Sequence, residues 1–353
     1  MSHTAPTLRA ALAVDLPEDD CALIEQLEPR VTLARDHSLN APARWNADWN
    51  GDPTFTRSPD QQAAFTELLD GADALFGIPD VDPALLAATV RANPRLRWVH
   101  TTAAGGGAQV QAAGLTPDEL SRVTFTTSAG VHGSTLAEFA IFGLLAGAKD
   151  LRRLERDQAA RDWPENRWEM RHLDEMTVLV VGLGGIGAAT AERLHAFGAT
   201  VWGTSRSGRP VAGVDRIVPL AELATAAAEV DAIVVTLPGT AATDKLIGEK
   251  VLAGVRPGTL LTNVGRGTVV DEDALLTALD DGRIGFAALD VFATEPLPAA
   301  SPLWEHPNVL VSPHTAALSR QEARRIARLF ARNATRLLDG DPMLNVVDTV
   351  EFY

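Results

Sequence analysis

The sequence predicts an α/β fold built from doubly wound parallel sheets, arranged in two domains. Three observations carry this. Short apolar runs alternate with helical periodicity along the 353 residues, the pattern of parallel strands covered by helices on both faces. The length exceeds that of one average domain. Residues 177–206 form a complete strand–turn–helix–strand unit around Gly182-Leu183-Gly184-Gly185-Ile186-Gly187, a G-x-G-x-x-G motif in the context that gives such a motif meaning.

In the first part of the chain, Leu8–Val14 reads as a strand, Asp19–Leu27 as a helix and Val31–Ala34 as a short strand. Residues 37–58 are polar, aperiodic and rich in turn formers. They read as a long surface loop, with Trp45 and Trp49 pinning it or serving a partner surface. Gln61–Leu69 is a helix, Ala72–Phe76 a strand, and Pro83–Ala92 a helix with proline in its first turn. Leu96–Thr101 is a strand closed by the run Thr102-Ala103-Ala104-Gly105-Gly106-Gly107, and Val123–Thr127 is another strand. Ser134–Leu151 reads as one long apolar helix. Residues 152–172 are charged, carry Trp163 and Trp168, and read as a surface arm or a segment packed on a second subunit.

Val178–Val181 then leads into the glycine motif and a helix that Gly198 stops, and Thr200–Trp202 begins the next strand. Asp215–Pro219 is a strand, Leu220–Ala228 a helix, and Asp231–Leu237 a buried strand ending at Pro238. Leu260–Val264 and Ile284–Val291 are further strands, with a helix at Asp271–Leu279 between them that Asp271 caps. Val309–Ser312 is the last strand and Gln321–Leu338 a long amphipathic helix.

Composition excludes several classes of function. A net charge of −15, with lysine only at Lys149, Lys245 and Lys250, argues against nucleic acid as a partner, since binding it needs basic patches that displace counterions. No apolar run approaches the roughly 20 residues that span a bilayer. The N-terminus lacks a basic segment followed by an apolar one, so neither a signal peptide nor a membrane partner is expected, and a cytoplasmic location fits. The single cysteine, Cys21, rules out an intramolecular disulfide and a cysteine-built metal site, and no metal is expected.

In the motif, Gly182 turns the chain sharply out of the strand, Gly184 lets a pyrophosphate approach the backbone, and Gly187 lets helix and strand pack closely. N–H groups at the helix start, around Gly185 and Ile186, face the phosphates. The carboxyl ends of three later strands carry reactive side chains: Arg266 after the first, Asp290 and then Glu295 after the second, His314 after the third. A guanidinium fork grips a carboxylate, an imidazole gives or takes a proton near neutrality, and a carboxylate orients that imidazole and favours its charged form. That set suits hydride transfer to an α-keto acid. Each residue also has a plainer reading: Arg266 a solvated turn residue, Glu295 a surface turn, His314 a structural histidine, Asp290 a cap or turn former. Coincidence of all of them at strand ends, in the half that carries the glycine loop, favours the chemical reading.

The motifs GLGGIG, TLPGTAATDKLIG, LLTNVGRGTVVDEDAL, ALDVFATEPLP and VSPHTA, in this order and spacing, resemble the D-isomer-specific 2-hydroxyacid dehydrogenase family from about residue 95 to 350. The resemblance implies a flavodoxin-like substrate domain of residues 1–131 and 316–353, into which a Rossmann dinucleotide domain of residues 132–315 is inserted, with the active site in the cleft. It implies that Arg266 binds the substrate carboxylate, that His314 is the acid/base, and that Glu295 supports it. It also implies that Asp290 meets the nicotinamide carboxamide and that the backbone at Ala104 and Gly105 binds the substrate carboxylate. Thr236, Leu237, Pro238 and Val264, at strand ends inside the matching motifs, go to the cofactor. A homodimer through residues 134–172 is implied as well. The expected activity is reduction of glyoxylate, hydroxypyruvate or a related small 2-keto acid to the D-2-hydroxy acid. The alternative is a dinucleotide-sensing module of the corepressor type. Formate is a poor candidate, because the family's formate dehydrogenases have glutamine where Glu295 stands, and a phosphoglycerate enzyme is disfavoured by the lack of an extra C-terminal regulatory domain.

The cofactor expectation is local. NAD-specific units place an acidic residue about 20 residues past the glycine loop to hold the ribose 2′-OH. Here Ser205 takes that place and Arg206 and Ser207 follow. A small hydroxyl leaves room for a 2′-phosphate and a guanidinium pairs with it, so NADP is the preferred cofactor and NAD the alternative.

Overall fold

The structure, a computed structural model, describes residues 6–352. Met1–Ala5, where the stretch read for a signal segment begins, and Tyr353 lie outside the described residues. The chain clusters into two compact units: one runs through His132 and resumes at Leu318, and the other is Gly133–Ala317.

The first unit contains β1 (Leu8–Leu12), α1 (Glu18–Leu27), β2 (Val31–Ala34), α2 (Pro59–Asp70), β3 (Ala74–Phe76), α3 (Pro83–Ala92), β4 (Trp98–His100), α4 (Gly107–Ala112), α5 (Pro117–Arg122) and β5 (Thr124–Thr126). Its strands form one parallel sheet in the order β2-β1-β3-β4-β5. Alternation along the strands divides the core between the two faces: Leu8, Ala10 and Leu12 pack on one side, Ala11 and Ala13 on the other.

The second unit contains α6 (Gly133–Ala148), α7 (Leu151–Ala160), β6 (Thr177–Val181), α8 (Gly185–Ala196), β7 (Thr200–Thr204), β8 (Arg216–Val218), α9 (Leu223–Ala227), β9 (Ala232–Val235), α10 (Glu249–Leu252), β10 (Thr259–Asn263), α11 (Glu272–Asp280), β11 (Ile284–Leu289) and β12 (Val309–Val311). Its parallel sheet runs β12-β11-β10-β9-β6-β7-β8, with a core cluster on each face. The last helix, α12 (Glu322–Asp339), belongs to the first unit and packs Ile326, Ala327 and Phe330 against its core. The fold is therefore α/β with two parallel, helix-covered sheets.

Several elements differ from the sequence expectation. The helix expected at Ser134–Leu151 ends at Ala148, because Asp150 takes a left-handed conformation (φ 54°, ψ 52°) that breaks it. The charged arm expected from residue 152 is helical as far as Ala160. Its charges pair at helical spacing, Arg152 with Glu155 at 2.9 Å and Arg153 with Asp157 at 3.6 Å. Between Gly107 and Arg122 the chain forms two six-residue helices, the second fixed by a capping box between Thr116 and Glu119. The 37–58 loop holds a short 3-10 turn at His37–Leu39. Trp49 pins it, its ring centroid 6.0 Å from that of Phe76, while Trp45 stays half exposed under Arg44.

Candidate active site

In the second unit β6 and β9 are neighbours, and the chain continues from them in opposite directions along the sheet. Their carboxyl ends therefore bound the crevice in which a doubly wound sheet binds ligands. Gly182, at φ 104°, turns the chain out of β6. A Cβ on Gly187 would lie 1.9 Å from the Gly182 carbonyl oxygen, whereas one on Gly184 would meet no atom within 4 Å. The first site needs close packing and the second is open for a ligand. From the β9 side, Thr236 Oγ1 donates to the Gly182 carbonyl at 2.5 Å, and Leu237 and Pro238 continue the wall. The loop is also tied to the end of β7: Gly182 N–H donates to Thr204 Oγ1 and Leu183 N–H to the Thr204 carbonyl. Ser205, Arg206 and Ser207 follow directly. Ser205 Oγ lies 3.1 Å from Ser207 Oγ, and the Arg206 side chain is exposed.

Beyond β10, the buried Asn263 staples the next turn. Its Oδ1 accepts from Gly265 N–H at 3.0 Å and its Nδ2 donates to the Arg266 carbonyl at 3.1 Å. Side chains are excluded on both flanks of Arg266. A Cβ on Gly265 would come within 2.5 Å of the Leu237 carbonyl oxygen, and one on Gly267 within 1.8 Å of Phe292 backbone. The Arg266 turn is thus wedged between the β9 and β11 loops and presents an exposed guanidinium, whose Nη1 donates to the Gly265 carbonyl. Val264, between Asn263 and Gly265, packs its side chain into the core.

After β11 and β12 come the remaining residues. His314 Nδ1 lies 2.7 Å from Glu295 Oε2, and Glu295 Oε1 accepts the Phe292 N–H at 3.0 Å. Both side chains are partly exposed. Asp290 is fully buried, and desolvation pushes its carboxyl above the ordinary range. Its Oδ1 accepts from Ser312 Oγ and from the N–H groups of Thr315 and Ala316, while its Oδ2 has no partner among the described residues. A buried acceptor without a partner, an open Gly184 and a helix N-terminus at the carboxyl ends of one sheet fit a bound dinucleotide.

Residues 141–316 match the family profile described as D-isomer specific 2-hydroxyacid dehydrogenase, NAD binding domain. Glyoxylate/hydroxypyruvate reductase B of Yersinia enterocolitica is 33% identical over 298 residues, covering 82% of this chain and 88% of the relative. The chain belongs to the D-isomer specific 2-hydroxyacid dehydrogenase family. Glyoxylate/hydroxypyruvate reductase A of Salmonella dublin is 34% identical over 267 residues, 74% of this chain and 83% of the relative. The crystal structure of a D-isomer specific 2-hydroxyacid dehydrogenase from Xanthobacter autotrophicus Py2 in complex with NADPH and MES superposes with a TM-score of 0.74 at 32% identity, covering 98% of this chain and all of that one. As a member of this family the chain is an oxidoreductase.

In the first unit of this family member, Ala104 and Gly105 lie exposed after β4. The same unit holds a buried polar network that sequence reasoning did not single out. His100 Nδ1 meets Thr126 Oγ1 at 2.8 Å, Thr126 Oγ1 also accepts from Trp98 Nε1, and Ser128 Oγ lies 3.2 Å from His100 Nε2 and donates to the Thr101 carbonyl. Burial pushes His100 down to about 3. Asn263 and Ser312 were missed as well. The position of Asn263 two residues before Gly265 was the one local signal for its role. Glu18, Cys21 and His37 bring ligand atoms within 4.8 Å of one another. However, Glu18 is held by Arg35, and burial pushes the Cys21 thiol up to about 12. Among the described residues no helix is long and apolar enough to cross a membrane.

Proposed function

We propose that the chain is an NADP(H)-linked reductase of small 2-keto acids of the glyoxylate or hydroxypyruvate type, acting in the cytoplasm. The pairing of His314 with Glu295, on the sheet edge that also bears Arg266, carries this reading. Gly182, Gly184, Gly185, Ile186 and Gly187 would hold the pyrophosphate, Thr236–Pro238 and Asp290 the nicotinamide end, and Ser205, Arg206 and Ser207 the 2′-phosphate. The bound nicotinamide supplies the hydride. Arg266 grips the substrate carboxylate and so orients the carbonyl. With Nδ1 on Glu295, His314 delivers a proton from Nε2 to the carbonyl oxygen. Ala104 and Gly105 keep their assignment to the substrate carboxylate as part of this proposal. The NADPH in the Xanthobacter structure and the names of the curated relatives support it.

An initial-rate screen of 2-keto acids with NADPH and NADH tests the reading. Turnover of glyoxylate or hydroxypyruvate is expected. Tight dinucleotide binding without turnover of any substrate would instead favour the sensing module.

The same proposal includes a homodimer through α6 and α7. Phe142 and Leu154 stand partly exposed on these helices, and Trp163 beyond them is 86% exposed. Light scattering should give twice the mass of the 37.5 kDa chain, and Trp163→Ser should lower it.

A further inference from the structure

We propose that Ser312 is a positioning residue for His314, acting through Asp290 Oδ1. The inference rests on the acid–base role given to His314 above.

His314 has φ 55°, in the left-handed region that residues other than glycine seldom enter. Something must hold it there, and the hydrogen bonds of residues 312–316 show what does. Ser312 N–H donates to the Leu289 carbonyl, continuing the strand register, and Pro313 has no N–H. His314 N–H turns back onto the Ser312 carbonyl at 3.0 Å. The N–H groups of Thr315 and Ala316 both converge on Asp290 Oδ1, at 3.0 and 3.1 Å. The Ser312 hydroxyl donates to that same oxygen at 2.5 Å. One carboxylate oxygen thus receives donors from both sides of His314, bridging the residue that carries the imidazole without touching it.

Asp290 is itself fixed, since it is fully buried and its N–H donates to the Asn263 carbonyl. The clamp therefore ties the His314 turn to the same residue, Asn263, that staples the Arg266 turn. Asp290 is given two separate duties: Oδ1 holds the histidine turn and Oδ2 remains for a ligand. Without the Ser312 hydroxyl, Oδ1 loses its shortest donor. The turn can then relax toward ordinary φ and draw His314 Nδ1 off Glu295.

Ser312→Ala tests this. A misplacement on the order of 1 Å costs as much as 10²-fold in rate, so kcat should fall about 10- to 100-fold. The KM for the keto acid, the NADPH Kd and the Tm should stay near wild type. Ser312→Thr, which keeps the hydroxyl, should restore kcat. A second readout needs neither cofactor nor substrate. In 15N-histidine-labelled apoprotein, the downfield Nδ1–H signal, assigned by its loss in His314→Gln, should vanish in Ser312→Ala and persist in Ser312→Thr. If Ser312→Ala keeps either wild-type kcat or that signal, the positioning role is overturned. Should Ser312→Ala fail to fold, Ser312→Cys, a weaker donor of similar size, carries the same comparison. Wild-type turnover in His314→Gln would overturn the acid–base reading itself, an outcome separate from those of Ser312.

Discussion

His314 Nδ1 and Glu295 Oε2 stand 2.7 Å apart, although 19 residues separate them in the chain. The carboxylate is anchored by Phe292 N–H on its other oxygen, so the imidazole is held by a group that is itself held. His314→Ala should therefore lower kcat by about 10²–10⁴-fold, the range of general acid–base catalysis. Glu295→Gln keeps the shape but loses the charged acceptor, and its loss in kcat should be smaller. Initial rates alongside NADPH titrations check both, and dinucleotide binding should survive in each variant.

The Arg266 turn is wedged between glycines that admit no side chain, so the guanidinium has a fixed origin. Arg266→Lys keeps the charge but not the planar fork, and the two residues are not interchangeable at a bidentate site. KM for the keto acid should rise at least tenfold in Arg266→Lys, about the loss of one charge-assisted hydrogen bond. It should rise further in Arg266→Ala, with a fall in kcat from the misplaced carbonyl. Equal KM in wild type and Arg266→Lys would remove Arg266 from carboxylate binding.

What the sequence made legible depended on the range of the interaction. The glycine motif is local: strand, turn and helix are contiguous, and each glycine's task follows from its place. The strands of the second sheet were readable because buried parallel strands are continuous apolar runs. By contrast, the role of Ser312 lies in a bond to Asp290, 22 residues away, and nothing in the local pattern around Ser312 announces it. Asp290 reads in the sequence as a cofactor residue or, more plainly, as a cap or turn former, and its clamp on residues 312–316 stays hidden because those Oδ1 bonds form only in the fold. The α7 helix reads as an arm because its sequence, LRRLERDQAA, shows charge before periodicity, and its i,i+3 and i,i+4 pairs become visible only once it is helical. The two helices after Gly106 are each six residues long, too short for an apolar period to register.

Two glycines of the motif should respond in opposite ways. Gly184 has open space around a Cβ and an ordinary φ of −76°, so Gly184→Ala should leave Tm unchanged and weaken dinucleotide binding. In Gly187→Ala the new methyl would meet the Gly182 carbonyl oxygen, so the Tm of the protein without nucleotide should fall. Thermal melts with and without NADPH distinguish the two. A Gly184→Ala variant with wild-type NADPH affinity would overturn the pyrophosphate assignment.

Two groups of the first unit, His100 and Glu28, should each contribute a window over which stability declines in acid. Burial holds His100 down to about 3 from an ordinary 6.5, so between those values the unfolded chain binds a proton that the folded chain refuses. Glu28, hydrogen-bonded above all by Arg30 and also by Thr335, sits at about 2 rather than 4.5. Its stabilisation is complete above 4.5 and is lost as pH falls through about 2. Denaturant midpoints should therefore start to fall just below pH 6.5 and fall faster below 4.5. In His100→Gln the upper part of the curve should flatten, while Glu28→Gln should flatten the lower part.

The cofactor choice turns on the end of β7. Thr204 is tied to the glycine loop by two hydrogen bonds, so Ser205, Arg206 and Ser207 leave the sheet from a fixed point beside that loop. None of Ser205, Arg206 and Ser207 is acidic, so none of them would hold a ribose 2′-OH or repel a 2′-phosphate as a carboxylate does, and the Ser205 and Ser207 hydroxyls lie 3.1 Å apart. The Arg206 side chain is exposed, so water screens its pairing with a phosphate. The gain should be modest, about a tenfold preference for NADPH. Arg206→Ala should raise KM for NADPH by about that factor and leave NADH nearly unchanged. Ser205→Asp should go further, because it adds repulsion toward the phosphate and an acceptor for the ribose hydroxyls of NADH. The double variant should prefer NADH outright. If wild type uses both cofactors equally, or if Arg206→Ala weakens both by the same factor, the 2′-phosphate is not read at this turn.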